Sequence, residues 1–352
     1  MSEFLQAHFT TPNDLGSANH LALFAELVRA TPPGEAIHAC ISHFENCDVL
    51  TALREAGERG VILRLVIRSD APVLADPAAL PNGEITTGMG CFGDSIHSKF
   101  LLFSRTTFRG TELRNLSVVG SGILTPGSAK KQENHVLVGD EAFYRALLDH
   151  WSRMRARCTD GATPTNVAGT FHSTTNKVKA YLFPFRNQDI VLDILNNIRS
   201  TRRARTDQRP ILRVAMARWL WSRRELATPL VKGVLLGSLR LELVLRPDES
   251  NGVSPKYITW FKVLARTFPK QVVLHVGALG TPSRNVHSKY FVFEGYYGEG
   301  NAWERLVFTG STNWTNEAQT DNDEIMVKIR DDAIFASFTN NHELLKQLCP
   351  RA

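Results

Sequence analysis

Apolar positions recur at helical spacing in Leu21–Ala30, and again in Cys47–Gly60, where Leu50, Leu53 and Ala56 form the stripe and Gly60 acts as a stop signal. The runs between and after these segments are almost unbroken in apolar character. Ile37–Ser42 and Val61–Arg68 therefore read as strands covered on both faces. His97–Phe103, Leu116–Val119 and His135–Val138 predict three more strands, and Asp140–Arg155 a helix. Residues 158–176 are rich in Thr, Gly and Asn without periodicity, and read as a linker. The order then returns. Val178–Phe183, Leu212–Trp219, Leu239–Arg246, Gln271–Val276, His287–Glu294, Arg305–Thr309 and Glu324–Arg330 predict strands. Ser222–Leu236, Tyr257–Thr267 and Asp332–Leu348 predict helices. Such an alternation implies an α/β chain, with helices covering sheets.

The second part of this order is a copy of the first. GVILRLVIRSD is echoed by GSLRLELVLRPD, IHSKFLLFS by VHSKYFVFE, and VVGSGIL by FTGSTNW. His97 precedes Ser121 by 24 residues, as His287 precedes Ser311. Ser121 precedes Asn134 by 13, as Ser311 precedes Glu324. A repeat unit this long is a duplicated domain and not a solenoid. The expected division is a first domain over 1–157, a linker over 158–176 and a second domain over 177–352.

On a strand, residues i and i+2 share a face, so His97 stands beside Lys99 and His287 beside Lys289. One His-x-Lys alone is a common surface pair. Two, each leading an apolar run and each followed at equal distance by Gly-Ser, point to chemistry. Two lysines suit the nonbridging oxygens of a phosphate. A neutral histidine can attack as a nucleophile while a protonated one donates to the leaving oxygen. Lysine charge makes a metal unnecessary for such a site, and no metal or cofactor is expected.

Composition adds limits. The chain has 352 residues, 43% of them hydrophobic, which excludes a disordered or fibrous polymer. No apolar run is long enough for a membrane span, and the first residues lack the pattern of a signal peptide. Cys40, Cys47, Cys91, Cys158 and Cys349 form a sparse, odd set without zinc-like spacing. They argue against a disulfide framework and fit a reducing, cytoplasmic setting. The net charge of +6 favours anionic partners without choosing among them. Nine arginines over Arg199–Arg224 either track a polyanion or lie on a solvated loop and helix face, the latter being the default. Trp219, Trp221, Trp260 and Trp314 read first as core or pocket wall, and His38, His43 and His135 as structural histidines.

The duplicated motifs resemble those of the phospholipase D superfamily, a repeated HxKxxxxD followed by GSxN and an acidic residue. The matching segments are HSKFLLFS at 97–104, HSKYFVFE at 287–294, GSGI at 120–123, GSTN at 310–313, and Glu324. The resemblance implies two tandem α-β-α sandwich domains related by pseudo-two-fold symmetry, with the site between them. It implies a phosphodiesterase working through a covalent phosphohistidine, with His97 as nucleophile, His287 as acid, and Lys99 and Lys289 on the phosphate. Glu324 is expected to orient His287, and Asn134 or its neighbour Glu133 to serve His97. Ser121, Ser311, Asn313 and Asn134 are candidate substrate contacts. Three departures stand out: Ser104 and Glu294 replace the motif's Asp, Ile123 replaces the first Asn, and Asn134 stands where an acid is expected. Three functions stay open: a phospholipid or small-phosphodiester hydrolase or transferase, a nuclease, and a phosphate-binding protein with weak catalysis. A peripheral contact with an anionic membrane or nucleic acid fits the first two, and a monomer suffices for all three.

Overall fold

The structure, a computed structural model, describes residues 3–12, 19–72, 80–160, 168–198, 209–247, 252–299 and 302–352. The first half runs β1 (Phe4–Thr10), α1 (His20–Arg29), β2 (Ala36–Ile41), α2 (Asp48–Glu58), β3 (Ile62–Arg68), β4 (Gly83–Gly88), β5 (Ser95–Ile96), β6 (Phe100–Phe108), β7 (Thr111–Gly120), β8 (Glu133–Gly139) and α3 (Glu141–Asp160). The second runs β9 (Gly169–His172), β10 (Val178–Leu182), α4 (Ile190–Asn196), β11 (Ile211–Met216), α5 (Ala227–Leu235), β12 (Arg240–Leu245), α6 (Pro255–Thr267), β13 (Val272–Val276), β14 (Lys289–Tyr297), β15 (Ala302–Gly310), α7 (Asn316–Thr320), β16 (Asn322–Asp323), β17 (Ile325–Ile329) and α8 (Asp332–Leu348).

The two large sheets follow the orders β1-β8-β7-β6-β2-β3-β4 and β13-β12-β11-β14-β15-β17-β10-β9. They match strand for strand around the motifs. The parallel trio β2-β3-β4 answers β11-β12-β13, the hairpin β6–β7 answers β14–β15, and β8 answers β17. Parallel neighbours need crossovers, which α2, α5 and α6 provide.

Strand alternation then sorts the side chains into three cores. Phe100 and Leu102 of β6 face a middle core, whereas Leu101 and Phe103 face α1 and α2. On β14, Tyr290 and Val292 face the same middle core, and Phe291 and Phe293 face α4, α5 and α6. Helices α3 and α8 fill that middle core between the sheets, through Phe143, Leu147 and Trp151 and through Phe338 and Leu345. Burial on both faces explains the near-continuous apolar runs.

Several expectations change. Strand β6 begins at Phe100, so His97–Lys99 lie just before it and not within it. Part of the segment read as a linker, Gly169–His172, is a strand, and 161–167 lie outside the described residues. The helix expected over Ser222–Leu236 opens as a 3-10 turn, Trp221–Leu226, where Arg223 is buried and its Nη2 donates to both carboxylate oxygens of Asp189 at 2.8 Å. Cys91 and Cys158 are joined as a disulfide across 67 residues, where the cysteine set is read from the sequence as arguing against a disulfide framework. Cys40, Cys47 and Cys349 are free. Among the described residues, no helix is long and apolar enough to cross a membrane.

Candidate active site

The two His-x-Lys segments meet where the halves are stitched together. β16 of the second half pairs in parallel with β5 of the first, and the His97 N–H donates to Asp323 O at 3.0 Å. The mirror contact bridges Gln132 and Val286, with the His287 N–H donating to Gln132 O at 3.0 Å. Each motif is therefore entered on a strand edge borrowed from the other half.

The side chains cross in the same way. His97 Nδ1 donates to Glu324 Oε1 at 2.6 Å, and His287 Nδ1 donates to Glu133 Oε1 at 2.7 Å. This corrects the expectation that Glu324 serves His287. The sequence treats each half as a closed unit, whereas the strand exchange delivers each acid to the opposite histidine. It also corrects the alignment of Asn134 with Glu324. The N–H of Asn134 donates to Ser121 Oγ, as that of Ile325 donates to Ser311 Oγ, so Asn134 answers Ile325 and Glu133 answers Glu324. The second loop is one residue longer, which hid the equivalence. Both glutamates are fully buried, while the imidazoles keep 21% (His97) and 15% (His287) exposure. With Nδ1–H committed to a carboxylate, each ring presents the Nε2 lone pair outward.

Lys99 Nζ donates to His97 O, and Lys289 Nζ donates to His287 O at 2.7 Å. Lys289 Nζ also lies 3.2 and 3.3 Å from the two ring nitrogens of His287. Burial lowers Lys289 to about 7 and Lys99 to about 8, and each glutamate opposes that fall. Burial likewise lowers His97 and takes His287 to about 3, with Glu324 and Glu133 opposing and the lysines assisting. The charge of Lys289 is felt at His97 and that of Lys99 at Lys289, across the two halves. Burial raises Glu133, but His287 and Lys289 outweigh it and hold the carboxyl well below its usual range.

The other candidates separate. Ser121 and Ser311 were read as phosphate contacts. Both are fully buried, and their hydroxyls donate to Glu133 Oε2 at 2.6 Å and to Glu324 Oε2. Ser128 adds a donor to Glu133 at 2.9 Å. These hydroxyls aim the carboxylates and have no donor left for a substrate. Asn134 is buried too. It donates to Thr309 Oγ1 and accepts the Lys289 N–H at 3.0 Å, bracing the halves together. Asn313 is half-buried, and its Oδ1 is buried with no partner among the described residues. Gly120 and Gly310 precede the serines because a Cβ there would strike Asn134 O at 2.4 Å or Ile325 O at 2.2 Å.

The motif positions at the far end of the strands are structural. Ser104 Oγ donates to Glu35 Oε2 at 2.6 Å, and Glu35 pairs with Arg105 at 2.9 Å; Glu294 pairs with Arg305 at 3.0 Å. Glu35 thus supplies the carboxylate that position 104 lacks. Near His97 stand His43, read from the sequence as a structural histidine, and Arg68, which the sequence reading did not single out. His43 contacts Arg68, which is paired with Asp70, and the charges of Lys99 and His97 are felt at His43. Arg68 ends the repeated LRLVIRSD run, the one signal that might have flagged it. Trp219 and Trp314 are core residues, packed edge to face at 4.5 Å. Of the arginine run, Arg213 and Arg223 pair internally with Glu242 and Asp189, and 199–208 lie outside the described residues.

Residues 212–345 match the family described as cardiolipin synthase, PLD-like domain. No curated protein matches the sequence. Phosphatidylserine synthase from Haemophilus influenzae Rd KW20 is similar in structure at a TM-score of 0.63 and 10% identity, over 99% of this chain and 87% of that one. Polyphosphate kinase from Porphyromonas gingivalis is similar at 0.61 and 12% identity, over 98% of this chain and 50% of that one, so the chain spans half of that relative's length. Yeast tyrosyl-DNA phosphodiesterase is similar at 0.53 and 10% identity, over 93% and 90%. The second half therefore matches a PLD-like domain by sequence, and the chain as a whole shares its fold with these structures.

Proposed function

We propose that the protein is a phospholipase D-like phosphodiesterase that hydrolyses, or transfers across, a P–O bond through a covalent phosphohistidine. The observation that carries this reading is the crossed pair of imidazole–glutamate contacts, with a lysine ammonium on the backbone carbonyl of each histidine. His97 Nε2 attacks phosphorus, the P–O bond to the leaving group breaks, and His287 Nε2–H protonates the departing oxygen. Water or an alcohol then attacks, giving its proton to His287 as the P–N bond breaks. The negative charge of the bound phosphate offsets Lys289 and raises the proton affinity of His287, readying it as the acid. Glu324 and Glu133 hold the tautomers and stabilise the imidazolium that forms. Lys99, Lys289 and Asn313 hold the nonbridging oxygens.

A phospholipid or related small phosphodiester is the substrate class we favour. The matched family description supports it. The test is alkaline quench of the protein turning over bis-p-nitrophenyl phosphate, phosphatidylglycerol vesicles or a DNA oligonucleotide, with the adduct mapped by mass spectrometry. The expected result is a label on His97 with the ester or the lipid. A label on His287 reverses the two roles, and cleavage confined to DNA replaces the substrate class. A label on neither histidine overturns the mechanism.

A further inference from the structure

The segment that delivers Glu324 to His97 is held in a way that its counterpart is not. Asp323, buried beside Glu324, accepts three backbone N–H groups from one loop: Cys91 at 2.7 Å, Phe92 at 3.0 Å and Gly93 at 2.9 Å. Its own carbonyl accepts the His97 N–H. The loop is pressed close, since a Cβ on Gly93 would lie 2.1 Å from Asp321 O. The same loop is bonded through Cys91–Cys158 to the last turn of α3. In the other half the position of Asp323 is taken by Gln132, whose side chain makes one bond, from Nε2 to Ser283 O at 2.8 Å, with no disulfide on that loop.

We propose that Asp323 is a positioning residue that latches the Cys91–Gly93 loop to the Glu324 strand, and that the Cys91–Cys158 bond makes the latch redox-sensitive, so that reduction loosens the carboxylate partner of His97 and leaves that of His287 in place. The chemistry is a two-electron exchange with a dithiol. A thiolate attacks one sulfur, the S–S bond breaks, and the second thiol of the reagent closes its own disulfide. The reagent is oxidised and two cysteine thiols take up the two protons. Cys158 is the more exposed sulfur bearer and Cys91 is buried, so attack falls on Cys158. The latch is also acid-sensitive: burial pushes the Asp323 carboxyl up to about 6, against the pull of its three N–H donors, and protonation removes an acceptor from the loop.

This inference rests on the proposed role of His97, and the experiment separates the two. The imidazole Nδ1–H signals of His97 and His287 are followed by nitrogen-edited NMR in the full chain, oxidised, treated with dithiothreitol, and in Asp323→Asn. Cys158→Ser keeps the Asp323 contacts while removing the bond, which covers failure of Asp323→Asn to fold. The expected result is exchange of the His97 Nδ1–H with water at least about tenfold faster in all three altered forms, with His287 unchanged. Turnover of bis-p-nitrophenyl phosphate should fall about tenfold in kcat with KM within about twofold. Equal change at both histidines, or none at either, overturns the latch. The NMR change without any phosphodiester turnover keeps the latch and overturns the enzyme reading. Undiminished turnover with no NMR change does the reverse.

Discussion

At the ring, His97 and His287 are held alike: Nδ1 on a buried glutamate from the opposite half, a lysine ammonium on the backbone carbonyl, and Nε2 outward. One step behind the ring the halves part. Glu324 takes one serine and is backed by Asp323 and a disulfide-bonded loop; Glu133 takes two serines and is backed by Gln132. Asn313 stands in the second half at the motif position that Ile123 takes in the first. Duplication supplies two equivalent imidazoles, but two steps of one reaction need different properties from each. The differences lie in what holds the carboxylates and in the side chains at 123 and 313, where they can separate the proposed roles without disturbing the shared geometry.

The largest effects should come from the imidazoles, and the leaving group should tell them apart. His97→Ala is expected to lower kcat/KM on a dialkyl phosphodiester at least about 10⁴-fold, because the bond-forming atom is gone. His287→Ala should cost about 10²–10⁴-fold on the same substrate, the range of general acid catalysis. With p-nitrophenolate as leaving group, which needs no proton, His287→Ala should recover most of that loss in the first step and His97→Ala none. The opposite pattern of recovery would exchange the roles.

The crossing itself is tested one step back. Glu324→Gln should behave as a weaker His97→Ala, about 10²–10³-fold down with every leaving group, and Glu133→Gln as a weaker His287→Ala, with loss that shrinks as the leaving group improves. If Glu324→Gln followed His287 instead, the pairing within each half would be right and the crossed contacts wrong. Double mutants of each crossed pair should be strongly non-additive, since the members of a pair act as a unit.

The repeat, the strand order around it and the convergence of two His-Lys pairs were legible because each rests on local signals: apolar runs, alternation and equal spacing. The crossed pairing was not. It depends on β5 and β16, two strands of two residues each, which carry no periodicity to read. The equivalence of Glu133 was hidden by the extra residue in the loop before Glu324, and counting from Ser121 landed on Asn134. Ser121, Ser311 and Asn134 are polar residues in a motif, and polarity alone does not say whether a donor faces a ligand or a neighbouring carboxylate. The cysteine pair lies far apart in sequence with no motif around it, and only the packing of α3 against the end of β4 brings it together.

The lysines predict a smaller, pH-dependent difference. With Lys289 near 7 and Lys99 near 8, both ammonium groups are charged at pH 6 and lose their protons as pH rises through these values. The sign is fixed by the charge: phosphate binding needs the protonated form, so KM should rise with pH, first through Lys289 and then through Lys99. An increase of about tenfold between pH 6 and 9 is expected, with a bound phosphate moving both transitions upward. Lys289→Arg, which stays charged, should flatten the lower transition while costing geometry. An unchanged KM across this range would show that the lysines stay charged and that their burial is offset by the glutamates.

The smallest expected effect comes from the residue pair that differs most in chemistry. Asn313 carries a buried oxygen without a partner among the described residues, and Ile123 offers only an apolar side chain at the matching motif position. Asn313→Ala should raise KM about three- to tenfold, the scale of one lost hydrogen bond to a charged oxygen, with little change in kcat. Ile123→Asn adds a donor to the half that lacks one. The Ile123 backbone is already fixed, its N–H on Ser128 Oγ at 3.3 Å and its carbonyl on His20 Nε2 at 3.0 Å, so the new amide enters a prepared position. If the two halves grip one phosphate from opposite sides, Ile123→Asn should lower KM about twofold and partly restore Asn313→Ala. If Ile123 instead lines the path of an apolar substrate chain, the same change should raise KM for lipid and leave bis-p-nitrophenyl phosphate untouched, so the direction of this small effect reports which part of the substrate the first half faces.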